Sequence, residues 1–233
     1  MKDLTTNVYP ADQIRADVLA IQRDHKDVID AYHKLWYGAR HTWGLTFYEG
    51  VPILKSPNDL WMYQELITSL KPTLIIETGT AMGGSALYFA RQLDRLGAGS
   101  VVSVDLEPHE TLPQHPRITY LTGSSIAPEM VGAVTACAKT HPRVMVVLDS
   151  DHSAKHVLAE LLAYAPLVTP LQFCVVEDTN LTGHPVDVAW KGGAGPHEAV
   201  EAFLSSHPEF VREPMAERYL LSMMPGGWLQ RAA

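Results

Sequence analysis

A chain of 233 residues, 46% hydrophobic and 19% charged, is long enough for one α/β domain with a sizeable core. Its net charge of −8, with no run of Lys or Arg, excludes nucleic acid as the main partner, because phosphate binding needs a basic surface. No apolar stretch reaches membrane-spanning length, and the opening MKDLTTNVYP has no signal-peptide apolar region, so a soluble, cytoplasmic protein with no membrane contact is expected.

Residues 11–35 place Ile14, Val18, Ile21, Val28 and Ile29 at roughly helical spacing and predict an N-terminal helix. Ser56 as N-cap and Pro57 at the first helical position start a second helix along SPNDLWMYQELITSL. Residues 1–70 therefore read as a helical extension to a core at 71–233, within a single domain spanning 1–233. From residue 73, short apolar runs alternate with helical segments. The runs are TLIIE (73–77), SVVSVD (100–105), RITYL (117–121), VMVVLD (144–149) and QFCVVED (172–178). The helices are 84–96, 127–139, 153–164 and 196–205. Strands alternating with helices predict a doubly wound α/β sheet, mostly parallel and covered on both faces. EFVRE and YLLSMM have no helix between them and are expected to form an antiparallel pair at one edge. Cys137 and Cys174 fall in an apolar helix and strand and read as buried free thiols.

Ligands of such sheets bind beyond the carboxyl ends of the strands. Those ends carry Glu77, Asp105, Asp149, Glu177 and Asp178. Acids are rarely buried without partners, and five at one end of a sheet point to a site. After Glu77 the chain reads TGTAMGGS, a glycine-rich turn into a helix, and Asp105 ends the next strand, where an acid accepts from ribose hydroxyls. The turn lacks G-x-G-x-x-G and G-K-[ST], and Glu77 would repel a pyrophosphate but suit an ammonium. S-adenosylmethionine has an ammonium, a sulfonium and a ribose, and no phosphate, so it is favoured over NAD.

Asp149, Glu177 and Asp178 lie on strands expected to be neighbours, where three carboxylates would repel unless a cation joined them. Hard oxygen donors suit Mg2+, with Mn2+ or Ca2+ as alternatives. Asp151 reads as a cap for the helix at 153. HSAKH (152–156) has the spacing of a zinc helix but lacks its Glu and a third soft ligand. His152, at the helix start beside the acids, is a candidate general base, and His156 reads as structural. The glycine-rich segment 179–196 is placed to form a lid, with Trp190 over the acceptor, and residues 41–57, with Trp43, Tyr48 and Lys55, to form the other wall. Two other readings stay open: an NAD-dependent oxidoreductase on a similar sheet, and a non-catalytic cofactor-binding protein.

With these clusters placed, KSPNDLWMYQELI, KPTLIIETGTAMGGSALYFA, VVSVDLEP, HPRITYLTGSSIAPE, VVLDSDHSAKHVLAELLAYAPLV and VVEDTNLTGHPV resemble the cephalosporin hydroxylase and rhamnosyl O-methyltransferase family over residues 40–231. The chain is more distantly similar to catechol-type O-methyltransferases. The resemblance implies a Rossmann-like methyltransferase sheet and transfer of the S-adenosylmethionine methyl to a small-molecule hydroxyl in natural-product, antibiotic or glycolipid chemistry. It implies that Gly79 and Ser85 line the methionine side, where Glu77 is already placed by its suitability for an ammonium, and that Asp105 holds the ribose. It puts Ser124 and Ser125 near the adenine, and Asp149 at the junction of cofactor and Mg2+, which Glu177 and Asp178 complete. A homo-oligomer is expected. No haem-ligand motif or H-x-D pair supports carrying hydroxylation over.

Overall fold

The computed structural model describes residues 10–39, 41–107 and 109–233. Two helices come first, Ala11–Asp24 (α1) and Lys26–Gly38 (α2). Where periodicity predicted one helix, the chain breaks at His25, whose φ of −122° and ψ of 22° leave the helical region. A hairpin follows, Phe47–Tyr48 (β1) with Val51–Pro52 (β2), turned at Glu49 and Gly50, both with positive φ. Two-residue strands are too short to show alternation, so the sequence pattern gave no sign of them. Pro57–Leu70 (α3) begins as expected: Ser56 Oγ accepts from the Asn58 N–H at 3.2 Å, with Pro57 at the first position.

Strands and helices then alternate: Leu74–Thr78 (β3), Gly84–Leu96 (α4), Ser100–Asp105 (β4), Ile118–Thr122 (β5), Pro128–Ala138 (α5), Val144–Leu148 (β6), Ala154–Tyr164 (α6), Phe173–Val176 (β7), Pro196–Leu204 (α7), Phe210–Arg212 (β8) and Trp228–Arg231 (β9). The seven-stranded sheet runs β5-β4-β3-β6-β7-β9-β8. All neighbouring pairs from β5 to β7 are parallel, and β9 lies antiparallel between β7 and β8.

The antiparallel edge exists, but YLLSMM is not part of it. Two side chains take backbone donors that a strand there would need, and one of them takes a ring donor as well. Asp59 Oδ2 accepts from the Met223 N–H at 2.9 Å, and Ser222 Oγ accepts from the Met224 N–H at 3.0 Å and the Trp228 indole at 3.2 Å. The chain then turns at Pro225–Gly226–Gly227 and enters the sheet as WLQR.

Alternation within the strands sorts the core into two layers. Ile75, Met145, Val147 and Phe173 face α3 and α4 through Met62, Tyr63, Ile67, Phe89 and Leu93, with Trp228 beside them. Leu74, Ile76, Val146 and Val176 face α5, α6 and α7 through Val134, Leu161, Val200 and Phe203. Helix α3, read from sequence as part of an extension, is thus a wall of the core. The N-terminal helices reach the far half of the chain: Arg15 pairs with Glu213 at 2.7 Å, Lys34 with Asp187 at 2.9 Å, and Asn180 Nδ2 meets His33 Nε2 at 3.0 Å. Cys137 and Cys174 are free thiols, with Cys174 buried. Among the described residues, no helix is long and apolar enough to cross a membrane.

Candidate functional site

The chain leaves β3 towards β4 on one side, and β6 pairs on the other. That reversal is the point at which an open α/β sheet leaves a crevice beyond its carboxyl ends. A cleft of about 690 Å³ opens there. Gly79, Ser85, Asp105, Ser124, Ser125, Asp149, His152 and Asp178 all line it. Glu77 and Glu177 do not line it; both are buried.

At the β3 end, backbone sterics set the shape. Gly79 has φ +88°, and a Cβ there would lie 1.8 Å from the Asp149 carbonyl oxygen. Only glycine lets the turn pass so close to the end of β6. Glu77, opposite Ser103 in the β3–β4 register, accepts its hydroxyl at 2.5 Å through Oε2, and its fully buried Oε1 has no protein partner. Burial pushes the Glu77 carboxyl up to about 7, against the pull of Ser103, Ser85 and Lys55. Asp105 accepts from the Ala81 N–H at 2.8 Å and the Glu107 N–H at 3.0 Å, so it ties the turn after β3 to the turn after β4. Ser125 Oγ meets His156 Nε2 at 3.1 Å, and its carbonyl accepts from the Tyr164 hydroxyl at 2.6 Å. His156 lines the cleft too, and Glu160 raises its pKa.

At the β6–β7 end, side chains do the building. Asp149, His152 and Asp178 each bring one ligand atom to within 4.8 Å of the others. His152 Nε2 is 3.4 Å from Asp178 Oδ2. Asp178 sits at φ +56°, a left-handed conformation that Asp tolerates better than most residues. Burial raises its pKa, His152 offsets this in part, and Asp149 adds to it. The sequence reading put Glu177 with Asp149 and Asp178. The structure instead sets Glu177 Oε1 against Lys55 Nζ at 2.8 Å and the Tyr63 hydroxyl at 2.6 Å, and His152 stands third in the converging set. Lys55 Nζ also lies 2.8 Å from Asp149 Oδ2. Burial alone would lower the Lys55 pKa; the two carboxylates outweigh it and hold the ammonium charged. Asp151, expected as a cap, does not cap α6, whose N-cap is Ser153 with no side-chain cap bond; it accepts from the Ser153 N–H at 2.8 Å and pairs with Lys191.

Tyr37 and Trp43 stack with ring centroids 5.2 Å apart and line the cleft, with Leu181, Val188 and Met223 also on its wall. The Trp43 indole donates to the Tyr37 carbonyl at 3.0 Å. Burial and the nearby Asp178 push the Tyr37 phenol up to about 12, so it does not accept protons at neutral pH. Segment 179–196 is tied down at both ends: Val186 N–H bonds the Asn180 carbonyl at 2.9 Å, and Ala154 N–H bonds the Ala194 carbonyl at 2.9 Å. The side chain of Trp190 lies outside the described part of the structure.

Sequence reasoning missed Tyr37 and the work of Lys55. Lys55 carried a signal. It directly precedes the N-cap of α3, at the positive end of the helix dipole, where a cation is disfavoured unless acids hold it. Tyr37 carried none, since its helix is far from the strand ends in sequence.

The family described as Rhamnosyl O-methyltransferase/CmcI matches residues 40–232. A rhamnosyl O-methyltransferase of Mycobacterium leprae (strain TN) is 40% identical over 192 residues, covering 81% of this chain and 82% of the relative. One of Mycobacterium bovis (strain BCG) is 37% identical over 213 residues, covering 88% and 85%. Among solved structures, a CmcI apo structure superposes with a TM-score of 0.63 at 18% identity, over 81% of this chain and 76% of that one. CmcI with Mg and SAM gives 0.60 at 17% identity, over 81% and 77%. At these identities the structural likeness speaks for the fold.

Proposed function

Because this chain belongs to the rhamnosyl O-methyltransferase/CmcI family and is an S-adenosylmethionine-dependent O-methyltransferase, we propose that it methylates a hydroxyl of a small sugar-bearing or natural-product acceptor with the help of Mg2+. The acceptor of the named relatives, a rhamnosyl group, is the first one to try. One observation carries the metal part: Asp149, His152 and Asp178 converge in the same cleft as the glycine turn after β3. The carboxylates of Asp149 and Asp178 would hold Mg2+ or Mn2+ with His152 beside them, and Glu177, which the structure sets against Lys55 and Tyr63, is the third oxygen donor of this reading. A cation held there would supply Lewis-acid polarisation of the acceptor hydroxyl.

The chain's own residues do the rest. Glu77, with one oxygen unpartnered, is assigned the ammonium of the methionine moiety. Asp105 is assigned the ribose, and Ser124 and Ser125 the adenine. His152 takes the proton of the acceptor hydroxyl, with Asp178 stabilising the resulting charge 3.4 Å away. Tyr37 and Trp43 offer an aromatic face to a sugar ring, and Leu181, Val188 and Met223 add an apolar wall. Positioning the acceptor oxygen in line with methyl and sulfur lowers the barrier to displacement.

Calorimetry with S-adenosylmethionine, S-adenosylhomocysteine and NAD, with and without Mg2+, followed by labelled methyl transfer to a panel of rhamnosides, catechols and other diols, tests the reading. The expected result is binding of the first two ligands and not NAD, turnover abolished by EDTA and restored by Mg2+, and a preference for glycosides. Full turnover in a chelated enzyme would remove the metal. A phenolic preference would remove the sugar.

A further inference from the structure

Lys55 comes to the acids from outside the sheet. It follows the β1–β2 hairpin and Leu54, whose φ is +53°, and it directly precedes the cap of α3. Its side chain is 3% exposed and its Nζ lies 2.8 Å from both Asp149 Oδ2 and Glu177 Oε1. These two acids sit at the ends of neighbouring parallel strands, β6 and β7. Tyr63 adds a second donor to the same Glu177 oxygen at 2.6 Å. The other side of Asp149 belongs to a different set, with His152 and Asp178, at the cleft. Asp149 is therefore shared between an ammonium inside the protein and a donor set that faces the cleft.

The metal reading counts Asp149 and Glu177 among the oxygen donors of a divalent cation, and the Lys55 ammonium bridges these same two carboxylates. Both cannot sit on Asp149 Oδ2 and Glu177 Oε1 at once, since like charges at that distance repel strongly in a buried setting. We propose that Lys55 is a built-in competitor of the divalent cation: its ammonium holds Asp149 and Glu177 together until a metal ion takes them, and the affinity of the site is set by that exchange. This rests on the metal reading given above. Lys55 acts here as a positioning residue. It keeps a strongly acidic pocket neutralised while no metal is bound, and it keeps metal binding reversible. The exchange would also reach the wall of the cleft. Pro52, Ile53 and Leu54, just before Lys55, line that wall, and the Pro52 carbonyl packs where a Cβ at Gly84 would stand, 2.2 Å away.

The probe is Mn2+ alone, titrated into the full chain and followed by electron paramagnetic resonance of the free ion. Lys55→Met should bind Mn2+ at least about tenfold more tightly than wild type, because a fixed positive charge beside the site is gone. Lys55→Arg, which keeps the charge, should stay within about threefold of wild type. A second measurement needs no variant. Acetylation of Lys55 by an amine-reactive ester, read by peptide mass spectrometry, should speed up when Mn2+ is added to wild type, as the displaced ammonium leaves its clamp. Wild type that binds Mn2+ with no change in Lys55 labelling, or a folded Lys55→Met that binds no more tightly, overturns the proposal and leaves the metal site standing. Absence of Mn2+ binding in both proteins overturns the proposal together with the metal site.

Discussion

At one end of the cleft, Gly79 lies in the turn after β3, Ser85 in the first turn of α4 and Asp105 at the end of β4, and backbone bonds tie Gly79 and Asp105 in place. Asp105 accepts from two main-chain N–H groups, and Gly79 N–H bonds the Val104 carbonyl at 2.8 Å. At the other end, Asp149, His152, Asp178, Lys55, Tyr37 and Trp43 come from five separate stretches of chain and meet through side chains. The ion pair between Lys55 and Glu177 alone spans 122 residues of sequence. The difference separates two tasks. An end made of strand register and a glycine turn is fixed as firmly as the sheet, which suits a ligand that never changes. An end made of ion pairs and aromatic faces can be altered without disturbing the sheet, which suits the proposed acceptor side.

The comparison breaks if a change at the acceptor end damages cofactor binding. His152 gives the largest test. His152→Ala should lower turnover about 10²–10⁴-fold, the usual contribution of a positioned acid or base. S-adenosylhomocysteine affinity, measured by calorimetry on the same preparation, should stay within about twofold of wild type. The pH–rate profile should lose its acidic limb with the imidazole. A lowered melting temperature with an unchanged rate per folded molecule would make His152 a structural residue. A Mn2+ affinity that falls in step with turnover would make it a ligand instead, since its ring shares the converging set with Asp149 and Asp178.

Asp105 tests the other end. Asp105→Ala should weaken S-adenosylmethionine binding by about 1.5–3 kcal/mol, the range for hydrogen bonds to a charged group. Part of that loss comes through the turns it ties together, so Asp105→Asn, which keeps one acceptor oxygen, should fall between. Mn2+ affinity should not move. Unchanged cofactor affinity in a folded Asp105→Ala protein would take this residue out of the site, and a matching loss of metal affinity would show that the two ends act as one.

This division also explains which parts were legible in the sequence. β3, β4, β6 and β7 announced themselves because they are buried on both faces and read as apolar runs. Their acids stood out because they end those runs, and Gly79, Ser85, Asp105, Ser124, Ser125, Asp149 and Asp178 do line one cleft. YLLSMM misled because it is as apolar as a strand; nothing in its own pattern says that Asp59 and Ser222 will take its donors. The partition of the acids was hidden for a similar reason. Glu177 and Asp178 are adjacent in sequence, but the turn after β7 sends one towards Lys55 and Tyr63 and the other towards His152. Tyr37, on α2 and far in sequence from the strand ends, reaches the cleft only through tertiary packing.

Glu77 sharpens the comparison through pH. Its folded-state pKa of about 7 lies above the ordinary 4.5, so the folded protein binds this proton more tightly than the unfolded chain. Stability therefore falls as pH rises from about 4.5 to about 7. At pH near 8 a charged Glu77, fully buried, costs on the order of 1–3 kcal/mol. Glu77→Gln removes that cost, so its melting temperature should exceed that of wild type by more at pH 8 than at pH 5. Saturating S-adenosylhomocysteine, whose ammonium would meet the unpartnered oxygen, should shrink the gap. Asp59 and Glu217 are also pushed up to about 7 by burial, so the difference between the two proteins is the readout and the slope of either is not. An equal melting difference at both pH values would mean that Glu77 binds its proton no more tightly in the folded protein than in the unfolded chain, and burial would not be what sets its charge.

The smallest expected effect belongs to the aromatic face. Tyr37 and Trp43 stack on each other and open onto the cleft, and neither carries a proton to the reaction. Their proposed part is to hold the flat, apolar side of a sugar ring, and stacked contacts of that size contribute about 0.5–1.5 kcal/mol. Trp43→Ala should therefore raise KM for a glycoside acceptor about 2–12-fold, the same range expressed as a ratio, and leave kcat near wild type. Trp43→Phe keeps a ring but loses the indole donor to the Tyr37 carbonyl, so it should recover part of the affinity. A small diol that is too short to reach the ring should show no change in KM. That contrast separates substrate contact from packing. If Trp43 only holds α2 against the strap that follows it, the substitution lowers the melting temperature and moves KM for both acceptors alike. If kcat falls with KM unchanged, the aromatic face acts on the transition state, and the acceptor end is as tightly fixed as the cofactor end.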